Sequence, residues 1–104
     1  MTTFNDMEDN LRKFIVEEQS DAHNIKTANF NKYNNLKVSM DPKKYTEPHF
    51  IVRISISEAV YKIADGTKIN GGVGFEEKFI TKWYGRMGIK NKLTELWQNL
   101  DNMN

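Results

Sequence analysis

Two histidines, a glycine-rich loop and a run of lysines are the residues of this chain whose types and spacing can do chemistry. His23 and His49 each stand two residues after an acid, as Asp21-x-His23 and Glu47-x-His49. In an extended segment such a pair shares a face, so two metal ligands can converge. A transition-metal site needs three or four ligands, and nothing in the sequence supplies the rest. Both histidines are therefore read as exposed loop or edge residues, and no metal site is expected. Gly71-Gly72-Val73-Gly74 precedes a helix, the form of an anion cradle, because amides at a helix N-terminus attract phosphate. The Gly-Lys-Ser/Thr of a P-loop and the third glycine of a dinucleotide fingerprint are both missing. Glu76 and Glu77 occupy the first turn of that helix, where they repel phosphate. Ser55 and Ser57 have no Gly-x-Ser-x-Gly elbow. There is no cysteine, which excludes disulfides, thiolate catalysis and Cys-ligated zinc. No catalytic residue and no cofactor site is assigned. An enzyme with an unrecognised carboxylate or histidine site is the least supported class.

The basic residues carry more information. Lys78, Lys82, Arg86, Lys90 and Lys92 follow one another with no acid between them. Lys78, Lys82 and Arg86 step by four, so they line one helix face if the helix runs that far. Lys90 and Lys92 extend the charge, and Tyr84 adds a stacking surface. Lys78, Lys82, Tyr84, Arg86, Lys90 and Lys92 are thus the candidate interaction surface. Cations beside aromatics are the footprint of phosphate-backbone binding. A helix-turn-helix reading would bury Trp83, Met87, Ile89 and Trp97 and turn Lys90, Asn91, Thr94 and Gln98 toward DNA. Tyr84 stands against it, because a small residue is wanted there for the helices to cross closely.

The first quarter is the electrostatic opposite. Residues 1–25 hold six acids against Arg12 and Lys13, a balance of −4, so residues 26–104 carry +5 of the net +1. Asp9, Glu17 and Asp21 form an anionic strip that can dock a basic protein groove. The favoured alternative is that this helix face pairs with the basic half of its own chain. Asp9, Glu17 and Asp21 form a weaker candidate surface, together with Tyr45 and His49 on a hairpin loop.

These residues must be positioned by a small set of elements. Met7, Leu11, Phe14, Ile15 and Glu18 recur at helical spacing and predict a helix from about residue 6 to about residue 20. Asn5 and Glu8 form a capping-box pattern at its start. Residues 24–35 read as a polar connection with Phe30 and Tyr33 as anchors. Leu36, Val38 and Met40 alternate with polar residues and predict a strand. Asp41-Pro42-Lys43-Lys44 is a turn. Residues 49–57 are the clearest strand, with Phe50, Val52, Ile54 and Ile56 on one face, Arg53, Ser55 and Ser57 on the other, and Ile51 as the exception. One wet and one buried face imply an antiparallel sheet. Residues 58–64 fit a strand or a short helix, and the Asp65-Gly66 turn tips the reading to a strand. Residues 70–74 read as a flexible loop. A helix follows with Phe75, Phe79, Ile80, Trp83 and Met87 on its apolar face, ended by Gly85 or Gly88. The last helix carries Ile89, Leu93, Leu96, Trp97 and Leu100.

The expected class is α+β: an N-terminal helix, a small antiparallel sheet of two to four strands, and two C-terminal helices packed on one face. A length of 104 residues fits one domain. An apolar content of 38% with twelve aromatics supports an ordered core. The acidic start lacks the basic and apolar regions of a secretory signal, and no apolar run is long enough to cross a bilayer, so a cytoplasmic protein is expected. Heavy use of Asn, Lys and Ile points to an A/T-rich gene, as in low-G/C bacteria and their phages. The α-β-β-β-α-α order resembles that of some small phage-encoded inhibitors, certain anti-CRISPR proteins among them. That resemblance implies an inhibitor of a host defence or nucleic-acid enzyme. The leading expectation is a small non-enzymatic binding protein whose partner is a larger protein, with direct nucleic-acid binding through residues 78–92 as the alternative.

Overall fold

The structure is a computed structural model that describes residues 2–23, 33 and 35–102, without the side chains of 19–23 and 101–102. It is an α+β fold. Helix α1 spans Phe4–His23, and four strands follow: β1 Lys37–Ser39, β2 His49–Ile54, β3 Ser57–Lys62 and β4 Lys68–Gly71. A 3-10 turn at Gly74–Glu76 leads into α2, Glu77–Tyr84, and the last helix is α3, Ile89–Asn102. The strands form one antiparallel sheet in the order β1-β2-β3-β4, so β1 and β4 are its edges.

Helix α1 starts earlier than its periodicity implies. Thr3, not Asn5, caps it: Thr3 Oγ1 accepts from Asp6 N–H, and Asp6 Oδ2 accepts from Thr3 N–H, each at 3.1 Å. The capping box is therefore Thr3-x-x-Asp6. Glu8 is freed from that role and is buried. Met7, Leu11, Phe14 and Ile15 form the buried stripe, as their spacing predicts.

The register sorts the sheet into two faces. Val38, Val52 and Ala59 lie in one cross-strand row and Phe50 and Tyr61 in another, and all five are buried in the main core. Helix α1, Ile80 and Trp83 of α2, and Ile89, Leu93 and Leu96 of α3 complete that core. Trp83 Nε1–H donates to Asn10 Oδ1 at 2.8 Å, which satisfies the indole and ties α2 to α1.

Residues 58–64 are strand followed by turn, as the Asp65-Gly66 signal predicts. Asp65 Oδ1 accepts from Thr67 N–H at 3.0 Å, and Lys62 N–H donates to Thr67 O at 2.8 Å. Gly66 has φ +77°, and a Cβ there would meet the Tyr84 ring at 2.7 Å, so both the turn and the close approach require glycine.

Several expectations are corrected. The clearest strand stops at Ile54, because Ser55 takes φ +59° and turns the chain into β3. Ile56 therefore sits at the hairpin tip, 89% exposed, and is not core. Phe75 falls in the 3-10 turn and is more than half exposed. Met87 lies beyond the end of α2 and is fully exposed. Residues 70–74 are not simply a loop. Asn70 and Gly71 belong to β4, Gly72 N–H donates to Glu58 O at 2.8 Å, and Val73 is buried.

The second face of the sheet is only half wet. Lys37, Arg53 and Glu58 form an exposed row, but Ile51 and Val60 in the next row are buried. Ile51 is the expected exception on that face: it is buried, pairs with Val60 and stands outside the main core. Phe30 and the rest of 24–32 lie outside the described residues. Tyr33 is described and buried, with its hydroxyl donating to Glu76 Oε2 at 2.9 Å.

Candidate interaction surface

The six residues of the basic candidate surface do not share one face. Helix α2 ends at Tyr84, so Arg86 is outside it and the four-residue step stops at Lys82. Lys82 Nζ lies 2.5 Å from Glu18 Oε1 of α1. Arg86 places its guanidinium 5.2 Å from the centre of the Phe14 ring, a cation–π contact over a buried aromatic. Lys78 lies 5.3 Å over Phe79, its neighbour on the same helix.

Tyr84 turns inward. Its hydroxyl donates to Ile63 O, and its ring is parallel to Phe50 at 6.1 Å. Burial pushes its hydroxyl pKa up, and the nearby Asp65 adds to the shift. Tyr84 therefore fixes α2 to the β3–β4 turn and is not a stacking platform. Lys90 Nζ donates to Ala64 O of the same turn at 2.9 Å. Lys92 is two residues on, about 200° around the helix. It lines a polar cleft of about 340 Å³ with Thr2, Asp6, Met7, Asn10 and Glu95. The helix-turn-helix reading also loses its buried Met87, and Thr94 Oγ1 donates back to Lys90 O within α3.

Glu18 of α1, which is not part of the Asp9-Glu17-Asp21 strip, pairs with Lys82 of α2. Asp9 accepts from Arg12 at 2.6 Å, and Glu17 is exposed. Asp21 lies in α1, and its side chain is outside the described residues, as is that of His23.

His49 differs most from its sequence reading. It is fully buried, not an exposed loop residue. Its Nδ1–H donates to Glu47 O at 2.8 Å, and its Nε2 accepts from Asp41 N–H at 2.9 Å. The Tyr45 ring is 5.1 Å from it and the Trp97 ring 5.2 Å, so the imidazole is flanked by two aromatics. Both nitrogens are consumed by backbone, and no group of three or more metal-ligating side chains occurs among the described residues.

The glycine loop is filled by its own acid. Glu77 Oε2 accepts from Val73 N–H at 3.0 Å, and Glu77 Oε1 accepts from Lys68 Nζ at 2.9 Å. Those bonds hold the Glu77 carboxyl below the usual range, the Lys68 contact contributing most. The carboxylate sits where a phosphate would have to bind.

Sequence reasoning missed three buried polar residues: Glu8, His49 and Glu76. It also missed Tyr61, whose buried hydroxyl has no hydrogen-bond partner and whose pKa is raised by burial and by Glu77. Among the described residues no helix is long and apolar enough to cross a membrane. Comparison of the chain with family models, with curated proteins and with solved structures gives no match.

Proposed function

We propose that the protein is a small non-enzymatic binding module that works by occupying a surface on a larger protein. The observation that supports this reading is apolar surface displayed at bends. Met87, between α2 and α3, is 101% exposed, and Ile56, between β2 and β3, is 89% exposed. Burying either side chain in a partner is worth about 1.5–3 kcal/mol, enough to make each an anchor. The cations of residues 78–92 support direct nucleic-acid binding less well. Lys82, Arg86 and Lys90 are engaged within the fold, and Lys78 and Lys92 lie on different helices. The specific version of the proposal is an inhibitor encoded by a phage or mobile element, and it rests on composition and element order alone.

The test is capture of partners from a low-G/C bacterial lysate with and without nuclease, using the native chain, Met87→Asp, Ile56→Asp and Lys78→Glu/Lys92→Glu. The last variant changes two cations that hold no salt bridge within the described residues. A stoichiometric protein that survives nuclease and is lost with either apolar variant is the expected result. Capture of nucleic acid that depends on Lys78 and Lys92 would overturn the reading.

A further inference from the structure

Asn70 is the only asparagine of the chain followed by glycine. The backbone nitrogen of the residue after an asparagine can attack the side-chain carbonyl and close a succinimide ring. A Cβ on that next residue hinders the approach, and glycine has none. Here the fold itself demands glycine at 71, because φ is +73° and a Cβ would meet Glu58 O at 2.2 Å. Asn70 and Gly71 are both exposed to water at the end of β4.

The nucleophile lies outside the sheet ladder. Gly71 is paired with Ala59, and the next residue, Gly72, donates its N–H to Glu58 O at 2.8 Å. Ladder bonds of an antiparallel pair alternate along the strand, so Gly71 N–H points away from β3. It donates instead to Asn70 Oδ1 at 2.8 Å. An amide in the ladder gives up its proton only when the sheet opens, whereas this one needs only its own side chain to release it.

The electrophile is held from both sides. Oδ1 accepts from Gly71 N–H, and Nδ2 donates to the Tyr45 hydroxyl at 3.1 Å. Both polar atoms of the carboxamide are thus engaged, and the Cγ that joins them is kept beside the Gly71 nitrogen. Tyr45 is itself placed by the buried His49, whose ring centre is 5.1 Å from its own, and by Lys44 Nζ at 5.6 Å. Holding two reacting groups together in advance speeds an intramolecular step, because less freedom is lost on the way to the transition state. Tyr45 is the positioning residue of this pair.

We propose that Asn70 is a self-modification site, at which the Gly71 nitrogen closes a succinimide on Asn70 Cγ and water opens it to aspartate or isoaspartate. Gly71 N–H gives its proton to hydroxide, and the nitrogen forms a bond to Cγ. The Cγ–Nδ2 bond breaks, and that nitrogen leaves as ammonia after taking a proton from water. A water molecule then adds to one of the two ring carbonyls and breaks its bond to the Gly71 nitrogen. In sum one water is consumed and one ammonia released, with no change of oxidation state. Either product replaces a neutral carboxamide by a carboxylate at the sheet edge. Isoaspartate also inserts the side-chain methylene into the main chain, which takes Gly71 out of register with Ala59. This chemistry is independent of the partner reading above.

The experiment incubates the full chain in mildly alkaline buffer made with isotopically labelled water. Oxygen uptake at each asparagine is followed by peptide mass spectrometry, with enzymatic methylation of isoaspartate as a second readout. The expected result is that label enters at Asn70 before any other asparagine, at a rate at least equal to that of the same chain in denaturant. Tyr45→Phe should slow uptake several-fold in the folded chain and leave it unchanged in denaturant. Simple loss of stability would act in the opposite direction, by opening the sheet edge. Asn70→Gln should abolish isoaspartate at position 70. Uptake at Asn70 that is faster in denaturant than in the folded chain would overturn the proposal, as would equal rates for the folded native and Tyr45→Phe chains. The comparison of folded and denatured native chain decides the matter even if Tyr45→Phe does not fold.

Discussion

The two edges of the sheet are closed by different means. At β1 the closure comes from another element: Val38 N–H, on the open side of the strand, donates to Glu8 Oε2 of α1 at 3.0 Å, and both groups are buried. At β4 the closure is local. The strand carries a register irregularity opposite Val60 and Tyr61, Gly71 N–H donates to the side-chain oxygen of the preceding Asn70 at 2.8 Å, and Lys68 is held by Glu77. Both devices stop a neighbouring chain from adding a strand. They differ in what they cost if broken. The β1 closure is desolvated, so its loss strands a buried amide. The β4 closure is exposed, so water replaces whatever is removed.

The largest expected effect is therefore at Glu8. Glu8→Ala leaves Val38 N–H buried without a partner and should cost about 3 kcal/mol in denaturant unfolding. Glu8→Gln keeps an acceptor and should cost about 1 kcal/mol, and equal losses for the two variants would break the comparison. Next is Gly71→Ala. Its φ is +73°, and a Cβ would meet Glu58 O at 2.2 Å, so about 2 kcal/mol is expected, read as a shift in the unfolding midpoint at unchanged slope. Asn70→Ala removes the Gly71 cap and the bond to Tyr45 from an exposed site. About 1 kcal/mol or less should be lost, together with faster exchange of the Gly71 amide.

The smallest effect concerns Glu77. Its carboxyl is held low mainly by Lys68 and then by Val73 N–H. A folded carboxyl with a lowered pKa stabilises the fold above the ordinary carboxylate range, and that contribution disappears as pH falls through its lowered value. Glu77→Gln should flatten the acid side of a stability–pH curve without changing the neutral region much. A curve of unchanged shape would show that the ion pair at this edge is only decorative.

The same contrast separates what was legible in the chain from what was not. Met7, Leu11, Phe14 and Ile15 announce α1, because a helix in contact with a core must repeat its apolar residues every three or four positions. Phe50, Val52 and Ile54 announce β2 by alternation, and Asp65-Gly66 announces the β3–β4 turn. All of these are local patterns. Glu8 looked like a cap because Asn5 precedes it by three residues; its actual partner is thirty residues away. His49 looked like a loop residue because its two hydrogen bonds run to backbone, which every sequence has. The basic stripe was visible as composition, but its assignment to one face assumed a helix two residues longer than α2. Arg86 and Lys90 found partners in Phe14 and Ala64 that no spacing rule names. Ile56 and Met87 share their residue types with the core. Only the turn at Ser55 and the end of α2 at Tyr84 put them outside it.

The Trp83–Asn10 bond and the bond from Thr2 N–H to Glu95 Oε1 at 3.1 Å join residues 73 and 93 positions apart in the chain. Helix α1 is translated before the elements that cover its stripe: β1 follows soonest, and Trp83 of α2 arrives 73 residues after its partner Asn10. At roughly 5–20 residues per second, that interval lasts on the order of ten seconds, during which Met7, Leu11 and Ile15 have at most the sheet to cover them. The stripe of the nascent helix is thus incompletely covered until α2 has emerged.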